Sequence, residues 1–417
     1  MARLKGAKGR GSGSGDRVTA RFGDDMPGCA GVRGRAGSGR GRGLLRGLFA
    51  FGGVIAGLMA LPGVATAQKR AAAPPRRVVA SPWDVEAREY LGTPESEAAV
   101  NAGLAYLAAR QQADGHWSSG GYPSDTGITG LCLLSFLAAG HQPNRGRYGL
   151  AMSEAVDWLA KCVQRGGQSV PAGFVNAGQG SGQPMYGHGF ATLALCEVYG
   201  MTHRKDLKPK IESAIKLIED SQTDDPGVTR FFGGWRYQPQ KGDADISVTV
   251  VQVLALRAAR NAGIRVSQAT IDRAIQYMRR CSNYESDGGF NYQIGQRQSG
   301  PARTGAGILS LVMAGLKDSP ECQGGIRYLQ THPLGVGNEW PYREHYYYTL
   351  YYITQAMYQI GGDHWKQWYP MVRDRLLKER SADGSWSVGS EAGSEYATAM
   401  AMLVLQVPAG LLPIYQK

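Results

Sequence analysis

Cysteine is scarce: six residues in 417, none in a C-x-x-C pair. That spacing is the usual mark of thiolate zinc sites, and a disulfide-stapled scaffold needs a far denser framework. No Cys-Gly-Glu-Gln stretch occurs, so covalent thioester chemistry is excluded. Charged residues are only 19% of the chain and hydrophobic ones 43%, which excludes a disordered protein and supplies one large core. The formal net charge is +12, but eleven basic against three acidic residues fall in the first 67 positions. The remainder is close to balanced and carries no electrostatic footprint for nucleic acid. Period-two patterning is also missing, and the only short extended segments are turns.

Long apolar runs are rare too, with one exception. Leu44–Leu61 is followed by Pro62 and Ala65-Thr66-Ala67, after a stretch rich in Gly, Arg and Ser. A basic n-region, an apolar h-region and an A-x-A site spell a secretory signal peptide over 1–67, cleaved near Ala67. The expected destination is the periplasm or the extracellular space. The alternative is a membrane anchor, if this segment is retained, although it is at the short end for a span. The start codon is Met1 or Met26. Residues 68–92 read as a linker. Cleavage leaves five cysteines, an odd number, and the expectation is buried small hydrophobes.

From 93 to 417 the chain repeats. A turn containing glycine and an aromatic residue recurs as Asp114-Gly115-His116-Trp117, Gly233-Gly234-Trp235, Asp287-Gly288-Gly289-Phe290 and Asp383-Gly384-Ser385-Trp386, with Asn338-Glu339-Trp340 a degenerate copy. After the turns come apolar helical runs, near 125–140, 185–200, 245–263, 303–315, 346–362 and 394–406. Before them come amphipathic ones, near 95–112, 149–164, 207–222, 267–282, 319–332 and 368–381. Val100, Leu104 and Leu107 form a single stripe, as do Ile211, Ile215 and Ile218, so each such helix buries one face. Val248–Leu256 is apolar nearly all round and must be enclosed. Six exposed and six enclosed helices in alternation predict an all-α (α/α)6 toroid of six helix pairs with Gly-aromatic turns. Thr93 and Ser267 stand where N-caps are expected.

These turns, the alternation and the length resemble the prenyltransferase and squalene-cyclase repeat superfamily of terpenoid cyclases and protein prenyltransferase beta subunits, over residues 95 to 406. The resemblance implies inner helices around a central cavity, a site at one mouth, and an apolar, isoprenoid-like ligand to be bound or transformed. It also implies no fixed chemistry, because one fold hosts many functions. By comparison with the Asp-x-Asp-Asp segment of class II cyclases, Asp245 stands as the acid and Asp243 as its partner, with Ile246 in place of the last aspartate. In the beta subunits that place carries Asp-x-Cys and binds zinc; here it is Asp243-Ala244-Asp245, so no thiolate zinc and no cofactor are expected, while an oxygen-ligated metal stays conceivable. The residues themselves allow a plainer role: either aspartate can cap the helix that follows. Tyr237, His188, Glu344, His345, Tyr347, Tyr348 and Tyr396 are the candidate ligand contacts, with ordinary packing as the alternative for the tyrosines and for His188. Whether the protein is an enzyme is open on this reading. The alternatives are a non-enzymatic toroid binding a protein or peptide, and a carbohydrate-active toroid using paired carboxylates such as Asp245 with Glu344 or Glu395.

Overall fold

The computed structural model describes residues 91–416 except 124, 168–169, 179–181, 297, 333–344, 389 and 391. The leader, the cleavage site, most of the linker, Asn338-Glu339-Trp340 and Glu344 lie outside the described residues. Six helices form an outer layer: α1 (Pro94–Arg110), α3 (Gly149–Cys162), α5 (Lys208–Ser221), α7 (Gln268–Arg280), α9 (Pro320–Thr331) and α11 (Gly362–Glu379). Six more form an inner ring: α2 (Thr126–Ala138), α4 (Pro184–Met201), α6 (Ile246–Asn261), α8 (Pro301–Met313), α10 (Tyr346–Ile360) and α12 (Gly393–Gln406). Each inner helix packs on the next, and α12 packs back on α2, so the ring closes. Inner helices touch neighbours on every side, which is why all thirteen residues of α2 are buried while α7 buries only a stripe of five. No β-strand forms among the described residues; extended backbone appears as isolated bridges such as Trp235 with Asp245.

The turns are the joints of the ring. The Trp117, Trp235 and Trp386 indoles are fully buried, and each donates its ring N–H to a carbonyl at the end of the preceding outer helix: Leu107 at 2.8 Å, Ile218 at 2.7 Å and Leu376 at 2.8 Å. The backbone N–H of the same tryptophan donates to a threonine hydroxyl on the following inner helix: Thr129 at 3.1 Å, Thr249 at 3.2 Å and Thr398 at 3.0 Å. Phe290 and Thr304 repeat this bond at 3.0 Å. Two residues before the aromatic stands a glycine with positive φ, a region where side chains are strained. It also fits against the backbone of the next outer helix. A Cβ on Gly115 would lie 2.5 Å from Glu154 of α3, and one on Gly384 would lie 2.7 Å from Ala102 of α1, which joins the last pair to the first.

A further turn carries no aromatic at this place. Gly173 abuts Ser213 of α5, Val175 takes the position of the tryptophan, and its N–H donates to His188 Nδ1 at 3.1 Å where the other repeats use threonine. The helix boundaries follow the hydrophobic pattern closely except in α11. That helix starts at Gly362 and runs through Pro370, because Trp365 and Tyr369, stacked at 4.7 Å, are buried in the core. Thr93 and Ser267 cap α1 and α7, with Thr93 and Ser96 forming a capping box. Cys132, Cys162, Cys196, Cys281 and Cys322 are all buried free thiols.

Aromatic side chains meet across the middle of the ring. Phe190 of α4 and Tyr351 of α10, on opposed helices, bring their rings to 6.2 Å. This aromatic pair forms a plug across the axis of the ring. At the other end the last residues fold under the ring: Ile414 and Tyr415 are buried, Gln359 donates to the Tyr415 carbonyl at 2.8 Å, and the Ile414 N–H faces Glu197 at 3.4 Å.

Candidate functional site

The first turns of the inner helices converge at one end, and the residue opening each helix decides what the mouth presents. Asp125 and Asp245 occupy equivalent places, four residues before Thr129 and Thr249. Each caps its helix through Oδ1. Asp125 accepts from Gly127 and Ile128 at 2.8 and 3.0 Å, and Asp245 accepts from Ser247 and Val248 at 2.8 and 2.9 Å. This geometry satisfies two of the orphan N–H groups at a helix start.

Asp245 does one thing more. Its Oδ2 takes Arg236 at 2.7 Å, and the side chain is wholly shielded from solvent. Arg236 also reaches Asp243 at 3.2 Å, hydrogen-bonds the Tyr292 hydroxyl, and lies 3.9 Å above the Tyr237 ring. Tyr237 and Tyr292 join hydroxyl to hydroxyl. Burial pushes the Asp245 carboxyl above its ordinary range, and the backbone N–H groups and Arg236 act against it. Burial also works against the Arg236 charge, yet Asp245 and the neighbouring hydroxyls raise its pKa. Both oxygens of Asp245 are therefore engaged by donors, and neither points a proton into open space. The same guanidinium bridges Asp243 and Asp245. Among the described residues no group of three or more His, Cys, Asp or Glu side chains is placed to hold a metal.

Around this cluster stand half-buried tyrosines: Tyr186 on α4, Tyr237 and Tyr292 from the turns, Tyr348 on α10 and Tyr396 on α12. Tyr186 and Tyr237 are 6.2 Å apart, and Tyr348 lies 4.5 Å from the buried Tyr352. Burial raises the phenol pKa of Tyr186 and Tyr348, and the Asp245 charge adds to it, which sets both rings beside the cluster. Arg303, one residue before Thr304 on α8, completes the rim.

Of the residues singled out from the sequence, Asp243, Asp245, Tyr237, Tyr348 and Tyr396 are brought to this mouth. His345 is exposed at the start of α10, with φ 57, and its ring is 6.4 Å from Tyr348. Tyr347 is not in the lining. It packs edge-on against Tyr346 at 4.9 Å, and Glu379 of α11 bears on its hydroxyl. Consecutive helical residues differ by 100°, so only some rings of the Tyr346-Tyr347-Tyr348 run reach the axis. His188 is a core residue, fully buried, and burial lowers its pKa to about 3. With Nδ1 accepting from Val175, the neutral ring keeps its proton on Nε2 and is not a base facing the mouth. Arg236, Tyr186, Tyr292 and Arg303 join Asp243, Asp245, Tyr237, Tyr348 and Tyr396 there. One signal was present: Trp235-Arg236-Tyr237 and Phe290-Asn291-Tyr292 place a tyrosine two residues after the turn aromatic.

The fold is an α/α toroid. The chain is similar to an α-1,6-mannanase of Salegentibacter, solved as an inactive variant with α-1,6-mannotriose, at 8% identity over 76% of this chain and 99% of that one, TM-score 0.55. It is similar to a D-mannose isomerase at 14% identity over 76% and 98%, TM-score 0.52. It is also similar to the apo type II terpene cyclase MstE from Scytonema at 15% identity over 76% and 99%, TM-score 0.49. No family model and no curated protein matches the sequence. Likeness at this identity establishes the architecture, which a mannanase, an isomerase and a glycosidase share, and leaves the activity to the site.

Proposed function

We propose that the protein is an exported toroid that binds an apolar, isoprenoid-like small molecule at the tyrosine-lined mouth. The observation that carries this reading is the convergence of five half-buried tyrosines from separate repeats on one rim. Phenol rings offer large apolar area at low conformational cost, with hydroxyls at the edge. The aromatic plug of Phe190 and Tyr351 keeps the ligand at the mouth. Asp245 positions Arg236 and caps α6. Held in this way it gives no proton to the ligand, so binding is favoured over class II cyclisation. A carbohydrate-active role with Asp245 as one of two working carboxylates draws no support from a side chain locked by three donors. Export rests on the Leu44–Leu61 segment and Ala65-Thr66-Ala67.

The test is a panel of polyprenyl and hopanoid-type lipids titrated into the purified protein, with tyrosine and tryptophan fluorescence as the readout. Saturable binding of at least one member is expected. A panel that leaves the emission unchanged at every concentration refutes the reading.

A further inference from the structure

Arg303 is the odd charge at the mouth. Its side chain is half-buried, and it makes no hydrogen bond or ion pair among the described residues. Arg236, which shares Tyr292 with it, is more than matched by two carboxylates. The surroundings of Arg303 are phenolic: Tyr292, Tyr328 and Tyr348 are the groups that bear on its charge, and burial lowers its pKa because no carboxylate offsets the loss of water. The Tyr348 hydroxyl is shielded from solvent and, like that of Tyr352 beneath it, makes no hydrogen bond of good geometry among the described residues, although the Ser247 and Tyr352 side chains bear on it. Gly300 makes room for the guanidinium, since a Cβ there would stand 2.6 Å from Arg303 Nη2. A partly desolvated cation with no counter-charge is costly unless something supplies one.

We infer that Arg303, with the Tyr348 hydroxyl beside it, binds a carboxylate carried by the ligand. The inference rests on the reading of the mouth as a ligand site and narrows it to an apolar acid. A single guanidinium matches a carboxylate in charge and in its two-pronged geometry; a phosphate dianion would keep one charge uncompensated. The tyrosines then cover the apolar body while the acid group lies against α8. Arg236 does not compete, because Asp245 and Asp243 already hold it.

The experiment compares farnesoic acid, farnesol and benzoate by calorimetry on wild type, Arg303→Gln, Arg303→Lys and Gly300→Ala. Wild type is expected to prefer farnesoate over farnesol by about tenfold or more, the worth of a charged hydrogen bond in a half-buried site. Arg303→Gln erases that preference. Arg303→Lys keeps part of it, and Gly300→Ala reduces it by crowding the guanidinium. Because Arg303 has no hydrogen-bond or ion-pair partner to lose among the described residues, the thermal midpoint of Arg303→Gln should equal or exceed that of wild type. Equal affinities of wild type for farnesoate and farnesol, or a preference that survives in Arg303→Gln, overturn the inference while the apolar site stands. Binding of benzoate that depends on Arg303, with neither farnesyl compound bound, keeps the carboxylate site and removes the isoprenoid reading. No binding of any of the three overturns both.

Discussion

Asp125 and Asp245 form an internal control. Both cap an inner helix through Oδ1 with nearly the same bond lengths, but only Asp245 also carries an arginine. Replacing either with asparagine preserves the cap, because Asn caps about as well as Asp. Asp125→Asn should therefore shift stability by less than about 0.5 kcal/mol. Asp245→Asn also removes the carboxylate from Arg236. Breaking a fully buried ion pair by deleting one partner costs about 3–5 kcal/mol. Two features reduce this: the Arg236 side chain keeps 23% of its exposure, and Asp243 stays within 3.2 Å. We expect about 2 kcal/mol for Asp245→Asn, below the buried-pair range for these reasons. The assay is urea unfolding followed by tryptophan fluorescence, with Arg236→Gln added to close a double-mutant cycle. Two results refute the reasoning. If Asp245→Asn is as mild as Asp125→Asn, the ion pair contributes nothing. If Asp125→Asn costs as much as Asp245→Asn, the two caps are not equivalent.

Truncating the buried Trp235 to alanine should cost about 3–5 kcal/mol, as for other large aromatic deletions, and a thermal midpoint equal to wild type would remove this turn from the ring's joints. Gly233→Ala should destabilise far more than Gly242→Ala, although both have positive φ; a Cβ at 233 overlaps the Arg273 carbonyl whereas one at 242 meets nothing, and equal denaturation midpoints would contradict this. Two buried groups shape the pH profile. His188, with its pKa lowered to about 3 by burial, contributes stability present above its unfolded value near 6.5 and lost as pH falls toward 3. Glu197, raised to about 8 by burial against an opposing Ile414 N–H, contributes stability present below its unfolded value near 4.5 and lost as pH rises through 8. From these two groups the thermal midpoint should be highest between about pH 4.5 and 6.5, and Glu197→Gln should flatten its alkaline side; an unchanged alkaline slope in that variant would contradict the assignment.

Hydrophobic period carried most of the architecture, because each helix has either one apolar stripe or an apolar surface all round, and both patterns are local. What escaped was non-local or atypical. The turn at Gly173 was hidden because Val175 stands in the aromatic position and His188 in that of threonine. The early start of α11 was masked by Pro370, which usually marks a first turn and here sits mid-helix under the packing of Trp365 and Tyr369. The aromatic plug joins residues 161 positions apart on opposite sides of the ring, and no local pattern announces it. At the mouth, Asp243 and Asp245 are legible as a motif, while the reach of Arg236 to both carboxylates is set by the folded turn. Their use became plain once the turn bridging Trp235 to Asp245 brought Arg236 over the carboxylates.

The central claim is that the tyrosine rim is the ligand site. Calorimetric titration of farnesol into wild type and Tyr348→Ala tests it most directly. One-to-one binding by the wild type is expected, with a loss of at least about tenfold in Tyr348→Ala, comparable to removing an aromatic anchor from an interface. Undiminished affinity in Tyr348→Ala, in a protein that still unfolds cooperatively, would place the ligand elsewhere and contradict the account.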